Sequence, residues 1–141
     1  MTITIEKKDL FTVPQGYYLA HCVSSDFALG AGIAKVFDEV YNMRSKLFKN
    51  YPNYVYSGGD ALLVDNVFNL VTKQKYYHKP TYESLREALE TMREHLELLD
   101  VTKLAMPKIA SGLDRLNWNL VYDIICETFE ETDIDIVICE L

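Results

Sequence analysis

Lys103-Leu104-Ala105-Met106-Pro107-Lys108-Ile109-Ala110-Ser111-Gly112-Leu113-Asp114 reads as a short strand, then a glycine-bearing loop that runs toward a helix beginning after Asn117. A strand that leads through such a loop to a helix is the repeating step of an α/β protein. The step also occurs earlier, where Tyr17 to Val23 precedes Gly30-Ala31-Gly32-Ile33-Ala34 and another helical stretch. Both loops are expected to offer unpaired backbone N–H groups and the positive end of a helix dipole, a combination that favours an anion. Two of them in one small domain suggest a diphosphate ligand.

Outward from these loops, strand-like runs occur at Ile3 to Glu6, Tyr17 to Val23, Ala61 to Val64, Val67 to Thr72, Lys103 to Met106 and Ile134 to Cys139. The turn-tolerant pair Asp65-Asn66 between two apolar runs predicts a hairpin, so the sheet is mixed. The first run alternates as an edge strand does, and the apolar terminal run is expected to enter the sheet centre. Leu85, Ala88, Leu89, Met92, Leu96 and Leu99 share one face of a helix over Thr81 to Leu99, with Thr81 as its N-cap. Trp118, Val121, Tyr122, Ile125 and Phe129 mark a last helix, and two shorter ones fit Ala31 to Phe37 and Met43 to Asn50. The expected architecture is an α/β/α sandwich with a mixed sheet of about six strands, in one domain over residues 1 to 141.

The chain has 141 residues, 49% hydrophobic and 25% charged, proportions of a globular domain rather than a disordered or membrane-embedded one. No signal-peptide pattern opens it, and a cytoplasmic monomer is expected. The cysteines, Cys22, Cys126 and Cys139, are odd in number and far apart, which argues for reduced thiols and against a disulfide framework or zinc site. A formal net charge of −7 excludes general electrostatic attraction to nucleic acid.

Four candidates carry chemistry. Gly30-Ala31-Gly32 lacks the third small residue of a dinucleotide fingerprint, since Lys35 stands there, so a nicotinamide enzyme is disfavoured and the glycines serve either a phosphate or a plain turn. Asp114 lies past a strand end, where open sheets bind ligands; it serves either chemistry or the cap of the next helix. Lys73 ends another strand and reaches the same edge, as a solvated lysine or, once neutral, as a nucleophile toward a sugar aldehyde. His21 and Cys22 point to opposite faces of a strand and cannot form a dyad. His78 and His95 have no metal-ligand spacing, and no metal is expected.

Taken together, Lys8-Asp9-Leu10, His21-Cys22-Val23-Ser24, Gly30 to Ala34, Val71-Thr72-Lys73, His78-Lys79-Pro80-Thr81-Tyr82 and Pro107 to Trp118 resemble the macrodomain family, most closely its terminal ADP-ribose protein glycohydrolase subclass. The resemblance implies ADP-ribose as ligand and ADP-ribosylated proteins as partners. It implies that Asp9 binds the adenine amine and that Gly30, Gly32, Ile33, Ala34, Ile109, Ala110, Ser111, Gly112 and Leu113 wrap the diphosphate and distal ribose. Leu10, His21, Cys22, Ser24 and Thr72 join the ADP-ribose contacts, and Lys73 and Asp114 fall on the catalytic pair. The implied reaction is removal of ester-linked ADP-ribose through a lysyl intermediate, with no cofactor. Alternatives are a non-catalytic ADP-ribose reader and a hydrolase of ADP-ribosylated nucleic acid or of ADP-ribose 1″-phosphate. Lys8 and Ala110 depart from the family, each standing where glycine is usual, and a methyl group at Ala110 disfavours positive φ.

Overall fold

Alternation along the strands decides which helices each strand meets. A computed structural model describes Met1 to Leu141. Its strands are β1 (Thr2–Lys7), β2 (Tyr18–Ser24), β3 (Asp60–Val64), β4 (Val67–Lys73), β5 (Lys103–Met106) and β6 (Asp135–Glu140), and its helices α1 (Gly32–Tyr41), α2 (Met43–Asn50), α3 (Tyr82–Leu98) and α4 (Trp118–Phe129). In β2, Leu19 and Val23 join Phe37, Met43 and Leu47 of α1 and α2 in one core. Ala20 faces the other way, into a core with Leu85, Leu89 and Met92 of α3 and Val121, Ile125 and Phe129 of α4. Two helices therefore cover each face, as the sandwich requires. Phe37, Met43 and Leu47 are fully buried, and each such side chain contributes roughly 1.5–3 kcal/mol by leaving water.

The sheet runs β1-β6-β5-β2-β4-β3, all neighbours parallel except β3 and β4. Those two form the expected hairpin, with Asp65 at φ +55 in its turn. β1 is the edge strand foreseen. The last strand differs from expectation: β6 is interior but off centre, between β1 and β5. The two central strands are β5 and β2, with β4 next to β2, and these three supply the strand ends whose loops meet. No helix is long and apolar enough to cross a membrane.

The irregular stretch before β3 is fixed by close packing. A Cβ built on Gly59 would lie 1.9 Å from the Ser84 carbonyl oxygen of α3, so only glycine lets the chain approach that backbone. The Gly59 amide donates to Glu87 Oε1 at 3.1 Å, and the hydroxyls of Tyr51 and Tyr54 donate to the Leu63 carbonyl and to Asp60. Thr81 caps α3 in a reciprocal arrangement with Ser84. Ser84 also donates to the Thr72 carbonyl at 2.7 Å, which ties the start of α3 to the end of β4.

Candidate functional site

Because β2, β4 and β5 are parallel neighbours, their carboxyl ends put three loops side by side, the place where open α/β sheets hold ligands. A cleft of about 860 Å3 opens there, within the range of small-molecule sites. One wall is the loop from Val23 through Ala34, another is Pro107 to Arg115, and the third is Lys73 with Tyr76 to Lys79.

Helix termini distinguish this cleft from the rest of the surface. Asn117 accepts from Asn119 and Leu120 at the start of α4, Thr81 accepts from Ser84 at the start of α3, and Asp38 accepts from Arg44 near the start of α2. At α1 the N-cap is Ala31, with no side chain to accept, which leaves the amides of Gly32, Ile33 and Ala34 aimed out of the helix end and unpaired. Among four helices, only the one at the cleft has a bare positive end, and an anionic ligand would satisfy it. Gly32 adopts φ +58, and a Cβ there would stand 3.0 Å from Leu113 Cδ1, so the two glycine loops touch across the cleft. The second loop departs from expectation. It does not feed its helix directly: α4 begins four residues past Asp114 and is capped by Asn117, so this loop contributes backbone but no helix dipole.

Lys73 stands beside Ser24 at the end of β4, and its Nζ donates to Asp114 Oδ1 at 2.7 Å. Both side chains are only 15% exposed. Two groups 41 residues apart in sequence thus converge on one wall of the cleft, and Asp114 does not cap a helix. Cys22 lines the floor close by. Burial pushes its thiol up to about 12 and Asp114 adds to the rise, against smaller opposing effects of Lys73, the Ala110 amide and the Thr72 hydroxyl. It stays protonated at neutral pH and is no nucleophile. No group of three His, Cys, Asp or Glu side chains is placed to hold a metal ion.

Of the residues the sequence puts on the ligand, Cys22, Ser24, Gly30, Gly32, Ile33, Ala34, Lys73, Ile109, Ala110, Gly112, Leu113 and Asp114 line the cleft. Five do not. Asp9 sits at the carboxyl end of β1 and accepts from the Phe11 amide as the cap of a 3-10 turn, Leu10–Thr12. Leu10 is buried and borders a separate cavity of about 220 Å3. His21 is fully buried on the opposite face from Cys22, stacked on Phe37 at 3.9 Å and bonded through Nε2 to Asn69 Oδ1 at 2.6 Å. Thr72 is buried beneath the floor, and the Ser111 hydroxyl turns back to donate to the Lys108 carbonyl.

Residues that sequence reasoning missed are Tyr76, Tyr77, Lys108, Arg115 and the stretch Ala28-Leu29. Asp26 binds two walls together: its carboxylate accepts from the Ser24 hydroxyl, from the Ala28 amide at 3.2 Å and from the Tyr76 amide at 3.0 Å. Burial alone would raise its pKa, but these bonds and the nearby Lys75 outweigh burial and lower it. The only advance signal was its position one strand end from Lys73. Strain gathers here too, with Phe27, Leu29, Ala110 and Arg115 all at positive φ.

No family model matches the chain. Over 142 residues, 99% of this chain and 91% of the relative, it is 44% identical to ADP-ribose glycohydrolase OARD1 of Bos taurus. The macrodomain of Mycobacterium tuberculosis DarG superposes with a TM-score of 0.89 over 99% of this chain and 98% of that one, at 22% identity. Thermosipho africanus DarTG, in a structure described as a complex with ADP-ribose, superposes with a TM-score of 0.74 at 17% identity, over 98% of this chain and 41% of that one.

Proposed function

This chain belongs to the macrodomain family, in its terminal ADP-ribose protein glycohydrolase subclass, and on that premise we propose that it removes ADP-ribose ester-linked to protein carboxylates through a covalent bond to Lys73. The observation that carries the reading is the 2.7 Å contact between Lys73 and Asp114 on the wall of the cleft. The diphosphate of the ligand lies against the bare start of α1 and the Ile109 to Leu113 backbone, which brings the distal ribose to Lys73.

Lys73 must lose a proton to attack, and Asp114 is within hydrogen-bond reach to take it. A bond then forms from Nζ to the anomeric carbon as the bond from that carbon to the ester oxygen breaks; the electron pair leaves with the protein carboxylate, which takes up the proton that the alkylated Nζ sheds. The ribose ring opens to an aldehyde-level carbon, its ring oxygen taking the proton from Asp114. Water adds to that carbon, Asp114 accepts the water proton, and the Nζ–carbon bond breaks with return of the proton to the amine. The sum is ester plus water giving ADP-ribose and a free carboxylic acid, with both side chains restored.

Borohydride reduction during turnover tests this directly. The expected result is an added mass of reduced ADP-ribose on the peptide that contains Lys73, and a loss of about 10²–10⁴ in turnover for Asp114→Ala, the usual range for a positioned proton-transfer group. Release of ADP-ribose by Lys73→Ala at the wild-type rate sinks the covalent route.

A further inference from the structure

Tyr76 and Tyr77 are 65% and 70% exposed beside the cleft, with ring centroids 5.3 Å apart in an edge-to-face pair. Tyr77 in turn meets the His78 ring at 4.8 Å. The turn that carries them is held firmly: the Ser25 hydroxyl donates to the Gln74 carbonyl, the Ser25 amide to the Lys73 carbonyl and the Tyr76 amide to Asp26. Two large rings are therefore presented to solvent from a fixed backbone, a form suited to contact because aromatic side chains offer area at low entropic cost. Lys79 beside the tyrosines and Arg115 on the adjoining wall line the same cleft, and both are exposed and have no ion-pair partner, although the chain as a whole carries −7. The two carboxylates close by are already engaged, Asp26 by Ser24, Ala28 and Tyr76, and Asp114 by Lys73.

We propose that Tyr76, Tyr77, Lys79 and Arg115 form a subsite for the acceptor, and that it takes an acidic peptide segment around the modified carboxylate. This rests on the reading that places the anomeric carbon at Lys73. With ADP laid along Gly30 to Ala34 and Ile109 to Leu113, the acceptor leaves the same carbon toward the part of the cleft wall still unfilled, which Tyr76, Tyr77, Lys79 and Arg115 line. Unpaired cations select an acidic chain by charge complementarity, and the ring faces cover the aliphatic stems of its glutamates.

The test compares three esters on the full chain, ADP-ribose esterified to a glutamate flanked by aspartates and glutamates, to the same peptide with amide flanks, and to acetate alone, with ADP-ribose linked to a single-stranded oligonucleotide as a fourth substrate. Wild type is expected to cleave the acidic peptide with about tenfold higher kcat/KM than the neutral one, the difference lying in KM. Tyr76→Ala/Tyr77→Ala and Lys79→Glu are expected to lose that advantage, with a fall on the acidic peptide about tenfold greater than on the acetate ester. An equal loss on the acetate ester overturns the proposal, since the rings would then hold ADP-ribose itself. An undiminished preference for the acidic peptide in both variants overturns it too, as does a single-stranded oligonucleotide conjugate that is preferred and more sensitive to loss of the tyrosines. Calorimetric binding separates the subsite from the lysine route. Should wild type cleave none of the three, the covalent mechanism fails, yet tighter binding of the acidic conjugate than of free ADP-ribose, lost in the tyrosine variant, still supports the subsite. Equal binding of the two overturns it.

Discussion

Asp114 is free to meet Lys73 because Asn117 already accepts from the first amides of α4. Ala110 adopts φ +61, the region its methyl group disfavours by roughly 1–2 kcal/mol. The loop holds that conformation because the Leu116 amide donates to the Ala110 carbonyl at 2.8 Å and Ile109 is buried beside it. His21 illustrates a residue whose role lies in the core. Burial lowers its pKa from 6.5 to about 4, partly opposed by the bond to Asn69. Between those values the unfolded chain binds a proton that the folded one refuses, so stability is full above pH 6.5 and falls as pH drops toward 4. The span is worth about 3 kcal/mol. Urea unfolding of wild type and His21→Gln across that window is expected to show this extra loss in wild type alone; parallel curves contradict a buried, neutral imidazole.

Elements were legible where period and capping agreed. The apolar run of β4, the stripe of α3 and the Thr81 cap each announced themselves, because they depend on neighbours a few residues away. What escaped depends on contacts distant in sequence. No local pattern says that β6 lies off centre, that Asp114 turns to Lys73, or that His21 faces α1 instead of the ligand. The resemblance to a family marked the two loops and the lysine–carboxylate pair, while the tyrosine turn, the Asp26 bridge and the unfilled start of α1 needed coordinates. Gly59 is another contact of this kind. Its missing side chain admits the backbone of α3, so Gly59→Ala is expected to cost about 2–3 kcal/mol by forcing the hairpin and helix apart, read as a lower urea midpoint. An unchanged midpoint would mean that the segment before β3 yields without cost.

At the scale of the molecule, two helices on each face and the order β5-β2-β4 set three loops around one cleft, and no single loop makes it. The sheet supplies a rigid base, while Phe27, Leu29, Ala110 and Arg115 hold strained conformations above it. The uncapped amides at the start of α1 have a consequence for turnover. On the ligand placement proposed above they grip the pyrophosphate, a portion of the guest that hydrolysis leaves untouched, so they cannot tell what arrives from what is finished. Spent ADP-ribose should therefore linger and compete with fresh substrate, with an inhibition constant close to its own dissociation constant. Progress curves with added ADP-ribose check this, and an enzyme indifferent to its product would mean that the grip lies elsewhere.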